Sequence, residues 1–149
     1  MPQSLANIHI HLIFSTKNRH PCLNAEWRPD LWGYLAGALN GQGCHAVKIG
    51  GVDDHVHILF DLGRTVALSD VAGQIKTESS KWIKRERGAP DFAWQAGYGA
   101  FSVSASNVDA VVDYIARQEE HHAKTTFQEE FRAFLTRHGV SWDERYVWD

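Results

Sequence analysis

The chain has 149 residues, enough for one domain with a real core and short for two. A net charge of -3 excludes a protein that coats nucleic acid through bulk positive charge, and two scattered cysteines, Cys22 and Cys44, exclude a disulfide framework or a zinc knuckle. The first residues lack a basic stretch followed by an apolar one, and no apolar run reaches the roughly 20 residues that cross a bilayer. A single cytoplasmic domain over residues 1–149, with no membrane contact, is therefore expected.

Residues 8–15 alternate Ile8, Ile10, Leu12 and Phe14 with His9, His11, Ile13 and Ser15, a period of two that predicts the first strand. Pro29 fits the first turn of a helix, where its missing N–H does no harm, and Leu31, Leu35, Ala38 and Leu39 give that helix one apolar stripe before Gly41 and Gly43. Residues 44–50 form the second strand, with His45, Val47 and Ile49 on one face, and a polar turn through Asp53 and Asp54 leads into the third. On that third strand His55 and His57 share one face, while Val56, Ile58 and Phe60 share the other.

Ser69 is the expected cap of a helix running to Gly88, with Val71, Ile75, Ser79, Trp82 and Ile83 inward. Six basic residues fall between Arg64 and Arg87 against three acids, whereas five basic residues face ten acids beyond Arg87, so positive charge gathers on this helix. Residues 88–97 read as an ordered irregular loop carrying Phe92 and Trp94, and residues 98–104 as the fourth strand. A helix follows from Ser106-Asn107-Val108-Asp109, with Val108, Val111, Val112 and Ile115 as its stripe. Tyr114 and Gln118, four residues apart, are expected one turn above each other on it. Phe127, Phe131, Phe134 and Leu135 are spaced for a last helix ending before Gly139, followed by an aromatic tail from Trp142 to Trp148.

The order strand, helix, strand, strand, helix, strand is that of an α+β, ferredoxin-like fold (βαββαβ), an antiparallel sheet with two helices on one face, followed here by C-terminal helices carrying the tyrosine. The other face, with His55 and His57, is left for a third helix or a partner to complete. Two imidazoles at i and i+2 start a divalent metal site but do not finish one. The chain has nine histidines and a second such pair, His9 and His11, for which structural burial is the plainer role.

Taken together, Phe14-Ser15-Thr16-Lys17-Asn18-Arg19, Asp54-His55-Val56-His57-Ile58-Leu59, the segment 98–104 and Tyr114-Ile115-Ala116-Arg117-Gln118 resemble the TnpA-type transposases. These are the single-tyrosine HUH endonucleases of simple bacterial insertion sequences. The resemblance implies that His55 and His57 are metal ligands, that Gln118 supplies a third and that Tyr114 is the nucleophile. It further implies Mg²⁺ or Mn²⁺ as cofactor and, as partner, single-stranded DNA folded into hairpins at element ends. It also implies a homodimer in which the tyrosine helix of one subunit completes the histidine site of the other. Tyrosine has a pKa near 10, so its attack on a phosphodiester needs a metal to polarise and orient the phosphate.

Lys76, Lys81, Lys84, Arg85 and Arg87 are expected phosphate contacts, with Trp94 a stacking platform for an unpaired base. Two other classes compete. His9-Ile10-His11-Leu12 and His55-Val56-His57-Ile58 resemble the paired motifs of metal-independent 2H phosphoesterases, although that family has Ser or Thr where His11 and His57 stand. A ferredoxin-like sheet can also bind nucleic acid without catalysis, through aromatic side chains exposed on its strands.

Overall fold

β1 (His9–Ser15), β2 (His45–Gly51), β3 (His55–Asp61) and β4 (Gly99–Val103) form one antiparallel sheet of order β2-β3-β1-β4. This is seen in a computed structural model that describes residues 2–149. β1 and β3 are the central strands, paired from His9 opposite Asp61 to Ser15 opposite His55. A register shift between Ala46 and Lys48 interrupts the alternation expected along β2.

The period of two decides which layer each strand residue joins. Leu12, Phe14, Val56, Ile58 and Phe60 pack against α1 (Arg28–Gly41) through Leu31, Leu35 and Leu39, and against α2 (Leu68–Glu86) through Val71, Ile75 and Ile83. Each such side chain, removed from water, contributes about 1.5–3 kcal/mol. Pro29 lies in the first turn of α1 as expected. α2 starts behind Ala67 without a side-chain cap, so Ser69 does not have the capping role expected of it.

On the opposite face Ile13 and Phe101 form a second cluster with Phe127, Phe131 and Leu135 of α5 (Phe127–Arg137). Thr126 caps α5 by accepting from the Glu129 N–H. α3 (Val108–Ala116) lies against β2, and a short α4 (Gln118–His122) links it towards α5. Two glycines make these approaches possible. A Cβ on Gly50 would stand 2.7 Å from the Ile115 carbonyl oxygen, and one on Gly99 would stand 2.6 Å from the Phe131 ring. The face that awaited a third helix or a partner is thus covered by this chain's own C-terminal helices.

The chain bends between Tyr114 and Gln118. The Arg117 N–H is shared between the Asp113 and Tyr114 carbonyls at 3.2 Å each, α3 closes there, and Gln118 opens a new helix instead of continuing the old one. The loop 88–97 is irregular but tied down. Lys76 Nζ donates to the Ala96 and Gly97 carbonyls at 3.0 and 2.8 Å, Gln95 exchanges hydrogen bonds with the Ser15 backbone, and the Gly97 N–H donates to the Asp149 carbonyl. No helix among the described residues is long and apolar enough to cross a membrane.

Candidate metal and nucleophile site

β3 delivers His55 and His57, both fully buried, to the face covered by α4 and α5. A buried imidazole needs partners for its ring nitrogens, and here the outer nitrogen of each ring has one. His55 Nδ1 lies 2.7 Å from Asp54 Oδ1, and His57 Nδ1 lies 2.8 Å from His11 Nε2. Both Nε2 atoms are thereby turned inward. Without an ion, an N–H at Nε2 donates to the Glu130 or Gln118 oxygen it faces; loss of that proton leaves an inward lone pair with Nδ1 held from outside, the arrangement that metal ligation requires.

The inward nitrogens meet the carboxylate of Glu130, which α5 buries at 3% exposure. Its Oε1 is 2.8 Å from His57 Nε2, 3.5 Å from His55 Nε2 and 3.2 Å from His122 Nε2. His122 Nε2 is buried yet makes no hydrogen bond in that position. The ligand atoms of His55, His57, His122 and Glu130 all lie within 4.8 Å of one another. Three imidazoles and a carboxylate are a donor set suited to a divalent ion, and a buried nitrogen aimed into it without a well-aligned hydrogen bond fits that use.

The second oxygen of Glu130 faces the tyrosine. Oε2 accepts the Tyr114 hydroxyl and the Gln118 amide, the latter at 3.3 Å, and lies 3.2 Å from His121 Nε2. Gln118 Oε1 is in turn 3.2 Å from His55 Nε2. One carboxylate thus joins the histidine cluster to the hydroxyl. Its surroundings set the charges. Burial disfavours the Glu130 anion, but His57, His122 and His55 hold its pKa well below the ordinary carboxylate range. Burial also disfavours the His55 cation, yet Asp54 and Glu130 raise its pKa to about 9. For His57 burial prevails over Glu130 and lowers the value to about 4, and burial with His57 nearby lowers His11 as well. Burial and the Glu130 charge push the Tyr114 hydroxyl well above its ordinary pKa.

His55, His57, Tyr114 and Gln118, singled out from the sequence, therefore converge, and all four belong to the same chain. Glu130 and His122 were not anticipated as members, and His11, for which burial is the plainer expectation, joins them by holding His57 Nδ1. A signal for Glu130 was present, because it stands three residues after Phe127 and four before Phe134, on the apolar stripe of α5, where an unpaired acid would be costly. His9, the other half of the second histidine pair, instead pairs with Asp61 at the far end of the β1–β3 ladder. Tyr114 opens on one side to a groove of about 510 Å³ lined by Asp113, Arg117, His121 and Lys124. On its other side lies a pocket of about 330 Å³ bounded by Phe101, Phe134, Arg137 and His138.

The basic helix has a different setting. α2 packs on the other face of the sheet, so its cations do not line the tyrosine groove. Lys76 is held by the Ala96 and Gly97 carbonyls, Arg85 pairs with Glu86, and Arg87 pairs with Asp30 at 2.6 Å while lying over the Trp27 and Trp82 rings. Lys81 and Lys84 are exposed and have no ion-pair partner among the described residues. Trp94, the expected stacking platform, has a largely buried position. Its ring meets Phe14 and Phe92 edge-on at 4.9 Å each, and its indole N–H donates to Ser79 at 2.9 Å. Those contacts make it part of the core, with only an edge reaching the cavity it lines with Lys76, Lys81 and Lys84.

A ferredoxin-like sheet whose third strand sets an HxH pair beside a helical tyrosine defines the HUH class of transposases. Residues 4–118 match the family described as IS200-like transposases, and the chain belongs to that family. No curated protein matches it. Among solved structures, one that is similar comes from Deinococcus radiodurans R1 and is provisionally described as a transposase. It has 23% identity and a TM-score of 0.64, over 79% of this chain and 98% of that one. Another is a REP-associated tyrosine transposase bound to a REP hairpin, with 14% identity and a TM-score of 0.60, over 84% of this chain and 76% of that one.

Proposed function

We propose that the protein cleaves and rejoins single-stranded DNA by a metal-assisted attack of Tyr114 on a phosphodiester. The observation that carries this is the shared carboxylate: Glu130 accepts the Tyr114 hydroxyl with one oxygen and faces the Nε2 atoms of His55 and His57 with the other. In the step proposed, a bond forms between Tyr114 Oη and phosphorus while the bond to the 3′-oxygen breaks. The tyrosine proton leaves by way of the hydrogen-bonded Glu130 Oε2 and His121 Nε2 to solvent, and the leaving oxygen takes one from solvent. The products are a 5′-phosphotyrosine and a free 3′-OH, which can reverse the reaction on another strand without ATP.

His55, His57 and the carboxyl or amide oxygens beside them would hold the ion, with Mg²⁺ or Mn²⁺ as the starting candidates. When bound, a divalent cation supplies positive charge that polarises the scissile phosphate and offsets the Glu130 anion that keeps Tyr114 protonated. Arg117, Lys124 and His121 along the groove would bind the flanking phosphates. The solved hairpin complex of a similar fold supports a DNA hairpin as substrate here. Lys81 and Lys84, on the other face of the sheet, would touch a hairpin stem and not the cleaved strand. A homodimer remains part of the proposal, with Trp142 and Tyr146 as exposed aromatic surface for it.

The test uses the full chain with single-stranded DNA from the flanks of its own coding sequence. A covalent protein–DNA species on denaturing gels is expected with Mn²⁺ or Mg²⁺ and is expected to vanish with EDTA or in Tyr114→Phe. An adduct that persists in the Phe variant would sink the nucleophile assignment, and cleavage unaffected by EDTA would favour 2H-type chemistry instead.

A further inference from the structure

We propose that His122 and Glu130 join His55 and His57 in a three-imidazole, one-carboxylate centre that selects a transition-metal ion over Mg²⁺, with Gln118 as a positioning residue beside it. The inference rests on the metal reading of this site and goes beyond it in naming the ligands and the class of ion.

Gln118 and His122 differ in how their donor atoms are engaged. Gln118 has its amide group occupied: Nε2 donates to Glu130 and to the Tyr114 carbonyl, and Oε1 lies against His55 Nε2. His122 Nε2 has the opposite status, buried and close to Glu130 Oε1 but with no hydrogen bond. A buried nitrogen whose one contact is a poorly aligned carboxylate is better satisfied when its lone pair binds an ion. His55 and His57 face the same Glu130 oxygen, and their outer nitrogens are fixed by Asp54 and His11, so little rearrangement is needed to close the set.

Donor chemistry then decides the ion. Mg²⁺ prefers oxygen ligands and keeps several waters, whereas imidazole nitrogens favour Co²⁺ and Zn²⁺ along the usual affinity order of divalent metals. His55, His57 and Glu130 are almost wholly buried, so the centre offers an ion side-chain donors in place of most of the waters that Mg²⁺ retains.

Equilibrium dialysis of the full-length protein with Co²⁺ and with Mg²⁺ tests this, together with the visible absorption of bound Co²⁺, which is intense only at low coordination number. Wild-type protein is expected to bind Co²⁺ about 100-fold or more tightly than Mg²⁺. His122→Asn and Glu130→Gln should each lose about tenfold or more in Co²⁺ affinity and the intense bands, whereas Gln118→Ala should lose less than about threefold. Circular dichroism in EDTA checks that each variant folds, and His122→Gln replaces His122→Asn if the latter does not. Wild-type affinity in both His122→Asn and Glu130→Gln, with loss in His57→Ala and Gln118→Ala, would overturn this ligand set while leaving the proposed function standing. Wild-type affinity in His57→Ala as well would overturn the metal reading itself.

Discussion

His11 shows how a single residue can be structural and still govern chemistry. It is buried at 2% exposure, and its Nε2 is the partner that turns His57 Nε2 towards Glu130. The sequence suggested burial as the plainer role for the first histidine pair, and burial is what His11 has, but at a position that orients a candidate ligand's ring. His11→Ala should therefore weaken metal binding by about 10–100-fold, the effect of removing an outer hydrogen-bond partner. It should also lower stability by about 1–3 kcal/mol, because His57 Nδ1 is left buried and unpaired. Dialysis and urea unfolding measure the two effects separately. A loss of stability with metal affinity intact would reduce His11 to packing alone.

Two elements depend on close backbone approach or on a buried charge. α3 reaches β2 only because residue 50 lacks a Cβ, so Gly50→Ala should force the Ile115 carbonyl away and cost about 1–3 kcal/mol. Since Tyr114 rides on the same helix, adduct formation should fall with it. A variant that is less stable yet forms adduct at the wild-type rate would separate the helix seat from the nucleophile's position. α2 holds the loop 88–97 through Lys76, whose ammonium is partly desolvated and has its pKa lowered to about 8. Below that value the folded protein carries the cost of the buried charge. As pH rises from about 8 towards the unfolded lysine's value near 10.4, the unfolded state binds more protons and stability rises. Thermal melts of wild type should accordingly gain on those of Lys76→Met between pH 8 and 10, and a constant difference would remove the titration from this lysine.

At the scale of the molecule, the sheet separates two surfaces: the tyrosine groove on one face and the exposed Lys81 and Lys84 of α2 on the other. Reversing both lysines to Glu should flatten the salt dependence of hairpin binding by a slope of about two, while adduct formation at saturating DNA stays near wild type. An unchanged slope would take α2 off the DNA surface. Within one chain Gln118 meets His55 and Ile115 is seated on Gly50. We propose on this basis that each subunit keeps its own site, in place of the shared arrangement that the resemblance implies. Mixed dimers of Tyr114→Phe with His57→Ala should then have one defect in every site and form no adduct. Recovery of activity on mixing would mean that α3 exchanges between subunits.

What could be read from the chain alone was whatever local periodicity encodes. Alternation placed His55 and His57 opposite Val56, Ile58 and Phe60, element order specified the ferredoxin-like plan, and the ordered motifs pointed to Tyr114 and Gln118. Contacts between residues distant in sequence were not legible, because they depend on how elements pack. Glu130 is 73 residues from His57, and His11 is 46 from it, yet both touch its ring. Trp94 looked available beside a basic helix, and only the packing of Phe14 and Phe92 around it revealed a core residue. The bend at Arg117 likewise has no strong local signal. It follows from seating α3 on β2 while Gln118 and His122 are drawn in beneath α5, a compromise between two packing surfaces that no single stretch of sequence contains.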